Sequence, residues 1–306
     1  MKNILSGLLI IASITVFISC NSGAGSSTTR MLKFNLEKGK YYDYEMVMDM
    51  DQDIMGKKNT IGMIAQYAIN VTDDDGNLKT LDIEYRDFKM KMDVMGQQMN
   101  IDASKKPEKM DSNSFSQNPM EMMSNAFSGI IGKKFTMKVS GDGEIQSIAG
   151  VDEFINSIAE SMNADEQVKG IVIASLQGQF SDEKVKETFA PMFGIYPNKE
   201  VKPGDKWNNT YILSSQAVVS SNEYTVKSFE GDNAIVLLTS KLEPQANAEN
   251  SNIAALKLSG TQSGTLTINT KTGLIVDSEL TQDFKSSGEM KFGMIGKLKM
   301  RGKERK

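Results

Sequence analysis

The 306-residue chain contains no histidine, and that absence removes more functions than any motif adds. Without imidazole there is no Ser-His or Cys-His nucleophile pair, and no zinc site that depends on a histidine ligand. Cysteine occurs once, as Cys20, so no disulfide can form within the chain and stability has to come from a packed core. An excess of positive charge is missing too. Lys and Arg number 35 against 39 Asp and Glu, for a formal charge of −4, whereas a grip on nucleic acid or anionic lipid needs clustered cations. The tail from Lys297 to Lys306 is basic but has no aromatic residue among its charges, which fits a solvated strand end.

The first twenty residues carry a processing signal. Lys2 gives a positive start, Ile4 to Phe17 is apolar apart from small residues such as Ser6, Gly7 and Thr15, and the small Ser19 stands directly before Cys20. That is the anatomy of a cleaved export signal, and the apolar run is short for a stable membrane span. Phe17-Ile18-Ser19-Cys20 resembles a lipobox, with Phe17 where the usual pattern has Leu. The resemblance implies cleavage before Cys20 and acylation of its sulfur by palmitate-like chains, so that the lipid bilayer becomes a partner of the mature protein. Removing residues 1–19 leaves 287 of 306 residues, and losing Lys2 moves the formal charge from −4 to −5. Asn21 to Arg30 is built of Asn, Ser, Gly, Ala and Thr, too polar and small to bury a core, and reads as a flexible tether.

From residue 32 onward the dominant period is two. Tyr42, Tyr44, Met46, Met48 and Met50 alternate with Asp43, Glu45, Val47, Asp49 and Asp51, placing an apolar and a largely acidic face on one strand. Ile61, Met63, Ala65, Tyr67, Ile69 and Val71 repeat the pattern. Asp73-Asp74-Asp75-Gly76 supplies a turn, and the chain returns through Leu81, Ile83 and Tyr85. The apolar phase then slips to Phe88, Met90 and Met92, so an extra residue near Arg86 and Asp87 predicts a β-bulge. Met95-Gly96 and Asp142-Gly143 read as further hairpin turns.

The middle of the chain changes period. Met120, Met123, Phe127 and Ile130 follow Pro119 at helical spacing, and Val151 to Met162, Asp165 to Gln179 and Ser181 to Phe193 predict three more helices. Strands resume after Pro197: Trp207 to Leu213, Tyr224 to Phe229, Ala234 to Leu242, Thr265 to Asn269, Leu274 to Phe284 and Gly288 to Lys299. Lys38-Gly39-Lys40-Tyr41 and Pro203-Gly204-Asp205-Lys206-Trp207 each lead into such a series, an echo that fits a diverged internal duplication and equally any run of antiparallel hairpins. The expected class is α+β, mainly antiparallel curved β-sheets with a helical segment in the middle. The expected organisation is a leader over 1–19, an acylated Cys and tether over 20–30, a first β region with helices over 31–195, and a second β region over 196–306.

The tether, the Gly204 to Trp207 turn and the paired hairpins resemble uncharacterised lipoproteins of Bacteroidetes-type bacteria that carry a domain of unknown function. A curved sheet with helices at its mouth is also similar in shape to periplasmic lipoprotein carriers, whose concave face holds acyl chains; that likeness implies a shape and no function. The chain lacks the acidic cluster that, in the resembling lipoproteins, directs export to the cell surface. The implied address is the cell envelope, on the periplasmic face of the outer membrane.

Catalytic motifs are few. Ser181-Asp182-Glu183-Lys184 fits S-x-x-K, Ser220-Ser221-Asn222 fits S-x-N and Lys271-Thr272-Gly273 fits K-T-G, in the order used by penicillin-recognising enzymes. The first lies in a highly charged segment, the last in a hairpin turn, and the three are too close together for that family's helical domain, so no enzyme and no cofactor are expected. The methionines carry more information. Tyr44, Met46, Met48, Met63, Tyr67, Met90 and Met92 share one strand parity, and thioethers adapt to irregular apolar guests. These seven are the candidate lining for a lipid or other hydrophobic ligand. The competing readings are a sealed core, a sheet that docks an envelope protein, and a thioether site for Cu(I).

Overall fold

The computed structural model of the protein describes residues 29–94, 96–105, 127–162, 164–178, 180–246 and 254–306. Cys20, the leader, most of the tether and the helix expected around Pro119 to Met123 lie outside them. Alternating strands follow where the period of two was read. β1 (Arg30–Leu32) is short, and β2 (Tyr41–Ile54), β3 (Lys57–Asp74) and β4 (Leu78–Val94) are long. β5 (Gln97–Asp102), β6 (Lys134–Ser140) and β7 (Ile145–Ala149) complete the first half. Three helices come next, α1 (Val151–Ser161), α2 (Glu166–Gln177) and α3 (Asp182–Phe193). The second half contains β8 (Lys199–Val201), β9 (Lys206–Leu213), β10 (Val218–Glu230), β11 (Asn233–Pro244), β12 (Leu258–Asn269), β13 (Ile275–Ser286) and β14 (Phe292–Glu304).

Among the described residues, twelve strands form one antiparallel sheet in the order β7-β6-β4-β3-β2-β14-β13-β12-β11-β10-β9, with β5 also paired to β4. The two halves of the chain therefore meet where β14 pairs β2, and a separate ribbon of β1 against β8 ties the start of each half together. The sheet curls until both of its edge strands, β7 and β9, contact α3, so one helix fills the gap between the edges. This is the expected α+β architecture, an antiparallel curved sheet with three described helices in the middle of the chain.

The echo between the two halves extends to backbone hydrogen bonds. In the first half the Gly39 amide donates to the Val71 carbonyl (2.8 Å) and the Val71 amide to the Lys40 carbonyl (3.1 Å). In the second half Gly204 donates to Val226 (2.8 Å) and Val226 to Asp205 (3.0 Å). Directly after each valine the ladder slips, between Val71 and Asp73 in one half and between Val226 and Ser228 in the other. Such a match of turn, partner and bulge is more specific than alternation alone, and it supports a diverged repeat.

The core sits at the end of the sheet where β2 begins. Leu32, Phe34 and Leu36 from the amino-terminal segment pack there with Phe189 and Phe193 of α3 and with Tyr42, Tyr44, Tyr67 and Tyr196. Phe34 meets Phe193 edge-on at 5.3 Å, and Tyr67 meets Phe189 at 5.8 Å, the offset and T-shaped arrangements that ring quadrupoles favour. The helices start where capping chemistry allows. The Asp165 carboxylate accepts from the Val168 amide at 2.9 Å, and the Ser181 hydroxyl accepts from the Lys184 amide. The predicted bulge is present, with Arg86 left unpaired as Gln66 faces Asp87 and Tyr67 faces Tyr85. Among the described residues, no helix is long and apolar enough to cross a membrane.

Candidate methionine face and polar belt

Antiparallel register puts directly opposed residues on one face, with Cβ atoms about 4.5–5.5 Å apart. Along β2 the apolar parity builds successive levels. At the first, Tyr44 faces Tyr67, which faces Tyr85. At the next, Met46 faces Ala65, which faces Phe88. Below that, Met48 faces Met63, Met63 faces Met90, and Met90 faces Ile101. At the fourth, Met50 faces Ile61, Ile61 faces Met92, and Met92 faces Met99. All seven predicted residues thus lie on one face, and Met50 and Met99 extend the array.

That face changes character along the strands. Tyr44 and Tyr67 are buried and stacked at 5.5 Å, and the Tyr67 hydroxyl donates to Met192 Sδ of α3 at 2.9 Å. Burial raises the pKa of both phenols well above the usual tyrosine range, with the neighbouring phenols adding to the effect. Desolvation also pushes Tyr85 up to about 12. Tyr44 and Tyr67 belong to the sealed core, and Tyr85 packs against it half-buried. Met46, Met63 and Met90 pack against that core while half-buried, and Met48, Met50, Met92 and Met99 are half-buried too. A cleft of about 500 Å³ crosses β2–β5 near the fourth level, lined mainly by residues of the opposite, polar parity such as Asp49, Asp51, Thr60 and Lys91, with Met50, Ile61, Met92 and Met99 as the minority. Of the predicted residues only Met92 lines it.

On the other half of the sheet the fourth level changes chemistry. Met50 faces Gly296, Gly296 faces Gln282, and the row continues through Gln262, Ser240 and Asn222 to Asn209. Five uncharged polar side chains on five adjacent strands form a belt. Apolar residues bound it on both sides, Leu280, Leu238 and Tyr224 above and Phe284 and Leu242 below. Its members are bonded in part. Asn222 Nδ2 donates to Asn209 Oδ1 (3.0 Å), Asn209 Nδ2 donates to the Tyr211 hydroxyl (2.8 Å) and to the Gly194 carbonyl, and Ser220 Oγ donates to Asn222 Oδ1 (3.0 Å). Ser240 is 2% exposed, and its hydroxyl has no hydrogen-bond partner among the described residues. The belt was not foreseen in the sequence, where Asn, Ser and Gln read as solvent-facing. Its one signal is parity: Ser220 and Asn222 alternate in step with the buried Val218, Tyr224 and Val226.

The residues of the three short motifs serve the fold. Ser181 caps α3, Lys184 Nζ bonds the Gly178 carbonyl, and Lys271 Nζ pairs with Asp232 at 2.6 Å beside the β12–β13 turn. Ser220 and Asn222 stand in or beside the belt. Among the described residues, no group of three or more His, Cys, Asp or Glu side chains converges as a metal site.

A family model described as a family of unknown function, DUF6263, matches residues 76–275. No curated protein matches the chain. Solved structures aligned with it include DynF from the dynemicin biosynthesis pathway of Micromonospora chersina, 6% identical, covering 90% of this chain and 86% of that one at a TM-score of 0.20. Others are OccK5 (OpdH) of Pseudomonas aeruginosa, at 8% identity, 89% and 100% coverage and a TM-score of 0.20, and a DUF1329 family protein from Desulfovibrio piger, at 9%, 85% and 85%, and 0.15. Similarity at that level supports neither a shared fold nor a shared function.

Proposed function

The chain belongs to DUF6263, a family without an assigned activity, and from its own residues we propose that it is a membrane-tethered lipoprotein of the cell envelope that binds a hydrophobic ligand on its methionine face. The observation that carries the binding half is the set of six half-buried methionines, Met48, Met50, Met63, Met90, Met92 and Met99, side by side on β2–β5 next to a sealed aromatic core. A core that merely needed filling would favour Leu and Ile, whose rotamers are better defined. Thioethers are flexible and polarizable and accommodate guests of varied shape. The tethering half rests on Lys2, the Ile4 to Phe17 run and Ser19-Cys20, which together predict acylation at the one sulfhydryl and residence on the periplasmic face of the outer membrane. The role is binding rather than turnover, since the chain has no imidazole and its one thiol is consumed by acylation.

Each half has its own test. Labelled palmitate should enter the wild-type protein and not Cys20→Ser, and the variant should wash off membranes that retain the wild type. Equal labelling of both would overturn the anchor. The mature protein should enhance the fluorescence of N-phenyl-1-naphthylamine. Met50→Glu with Met92→Glu places two carboxylates on an apolar face and should weaken that binding by about tenfold or more. Unchanged binding would move the ligand off this face.

A further inference from the structure

We propose that the belt from Asn209 to Gln282 is the headgroup subsite for a neutral amphiphile, whose acyl chain lies along the methionines and whose head carries hydroxyl, ester or amide groups instead of a charge. The inference rests on the apolar-ligand reading above and narrows its ligand class.

Position is the first argument. The belt and the row through Met50, Ile61 and Met92 occupy the same level of the same face, and the residue between them is Gly296. A Cβ there would stand 3.4 Å from Met50 Cγ and 3.5 Å from Gln282 Oε1, so the bare glycine leaves the step from thioether to amide without an intervening side chain. A molecule lying across that step would meet an apolar surface on one side and hydrogen-bonding groups on the other.

Charge is the second argument. At the levels of Leu298, Gly296 and Met294, from β9 across to β4, the register on this face contains no Lys, Arg, Asp or Glu. At those levels the charges of these strands fall on the opposite parity, as Asp49, Asp51, Lys297 and Lys299 do, and the exposed Lys57, of the same parity, stands one level beyond them opposite Ile54. A phosphate or carboxylate head would enter a low-dielectric surface with no cation to meet it, and a quaternary amine would find no anion. A neutral head faces no such cost.

Unmet hydrogen-bonding capacity is the third argument. The hydroxyl of Ser240, 2% exposed, stands in the belt and lacks a partner among the described residues. Buried hydroxyls are ordinarily paired, and a partner supplied by a ligand would complete it. Amides and hydroxyls both donate and accept, which matches heads of mixed donor and acceptor character.

The test compares 1-monooleoylglycerol with oleate, which share an acyl chain and differ in head charge, as competitors for N-phenyl-1-naphthylamine on the mature protein at a mildly alkaline pH. Monooleoylglycerol is expected to displace the probe at about tenfold lower concentration than oleate. Gln262→Leu with Gln282→Leu should bring the two competitors to near equality while leaving probe binding in place. Ser240→Ala, the more conservative change, should narrow the gap in the same direction. Oleate competing as well as monooleoylglycerol, or a preference that survives both variants, would overturn the subsite and leave the apolar reading standing. Failure of both competitors to displace the probe would overturn both.

Discussion

At the scale of single residues, the protein's chemistry is written in parity. Met46, Met48, Met63, Met90 and Met92 all fall on the predicted face, because alternation along strands of this length is a strong signal and cross-strand register carries it from β2 to β3 to β4. Tyr44 and Tyr67 were legible as members of that face but not as the part of it that α3 seals, since a contact between residues 67 and 192 is invisible in local pattern. The buried phenols make a prediction at this scale. Desolvation raises Tyr85 and Tyr224 to about 12, above the value near 10 that they regain on unfolding. The folded protein therefore holds these protons where the unfolded chain releases them. Their contribution is fully present below pH 10 and is lost as pH rises toward 12, at about 1.4 kcal/mol per pH unit for each tyrosine. Urea titrations across that range should show the unfolding midpoint falling, and a midpoint level to the top of the range would show that these rings are solvated.

At the scale of elements, sequence reading succeeded where an element has a period or a cap and failed where it has neither. Asp165 and Ser181, from which the sequence predicts two helices, are the capping residues directly before α2 and α3. The hairpin at Met55-Gly56 was not foreseen, although both strands that it joins were; Met55 takes a left-handed conformation that local sequence gave no reason to expect. β1 and β8 are three residues each, too short to show alternation, and they exist because they pair with one another across most of the chain. The sequence predicts a strand from Tyr224, but β10 begins at Val218, because the polar Ser220 and Asn222 hide its buried parity. α3 is the element on which closure depends, since it touches both sheet edges. Its Phe189 ring packs against Tyr67, Phe135 and Phe193. Phe189→Ala should cost about 3–5 kcal/mol, against less than about 0.5 kcal/mol for the exposed neighbour Thr188→Ala. Chemical denaturation followed by the fluorescence of the buried Trp207 would measure both, and equal effects would mean that α3 is not part of the cooperative core.

At the scale of the whole molecule, one curled sheet unites two halves that repeat the same turn, valine bridge and bulge. The repeat was only suggested by sequence, because Tyr42 and Trp207 share a place without sharing a side chain. What the halves do not share is the chemistry of their inner faces, thioether on one and amide or hydroxyl on the other. Divergence after duplication would give one body two complementary walls, and the N-terminal signal would fix that body to the envelope. Native mass spectrometry of the protein released gently from its own membrane tests this account most directly. The account predicts a chain that begins at an acylated Cys20 and carries one further lipid-sized mass, lost on collisional activation. A chain that retains residues 1–19, or an acylated chain that flies without any bound lipid, would contradict it.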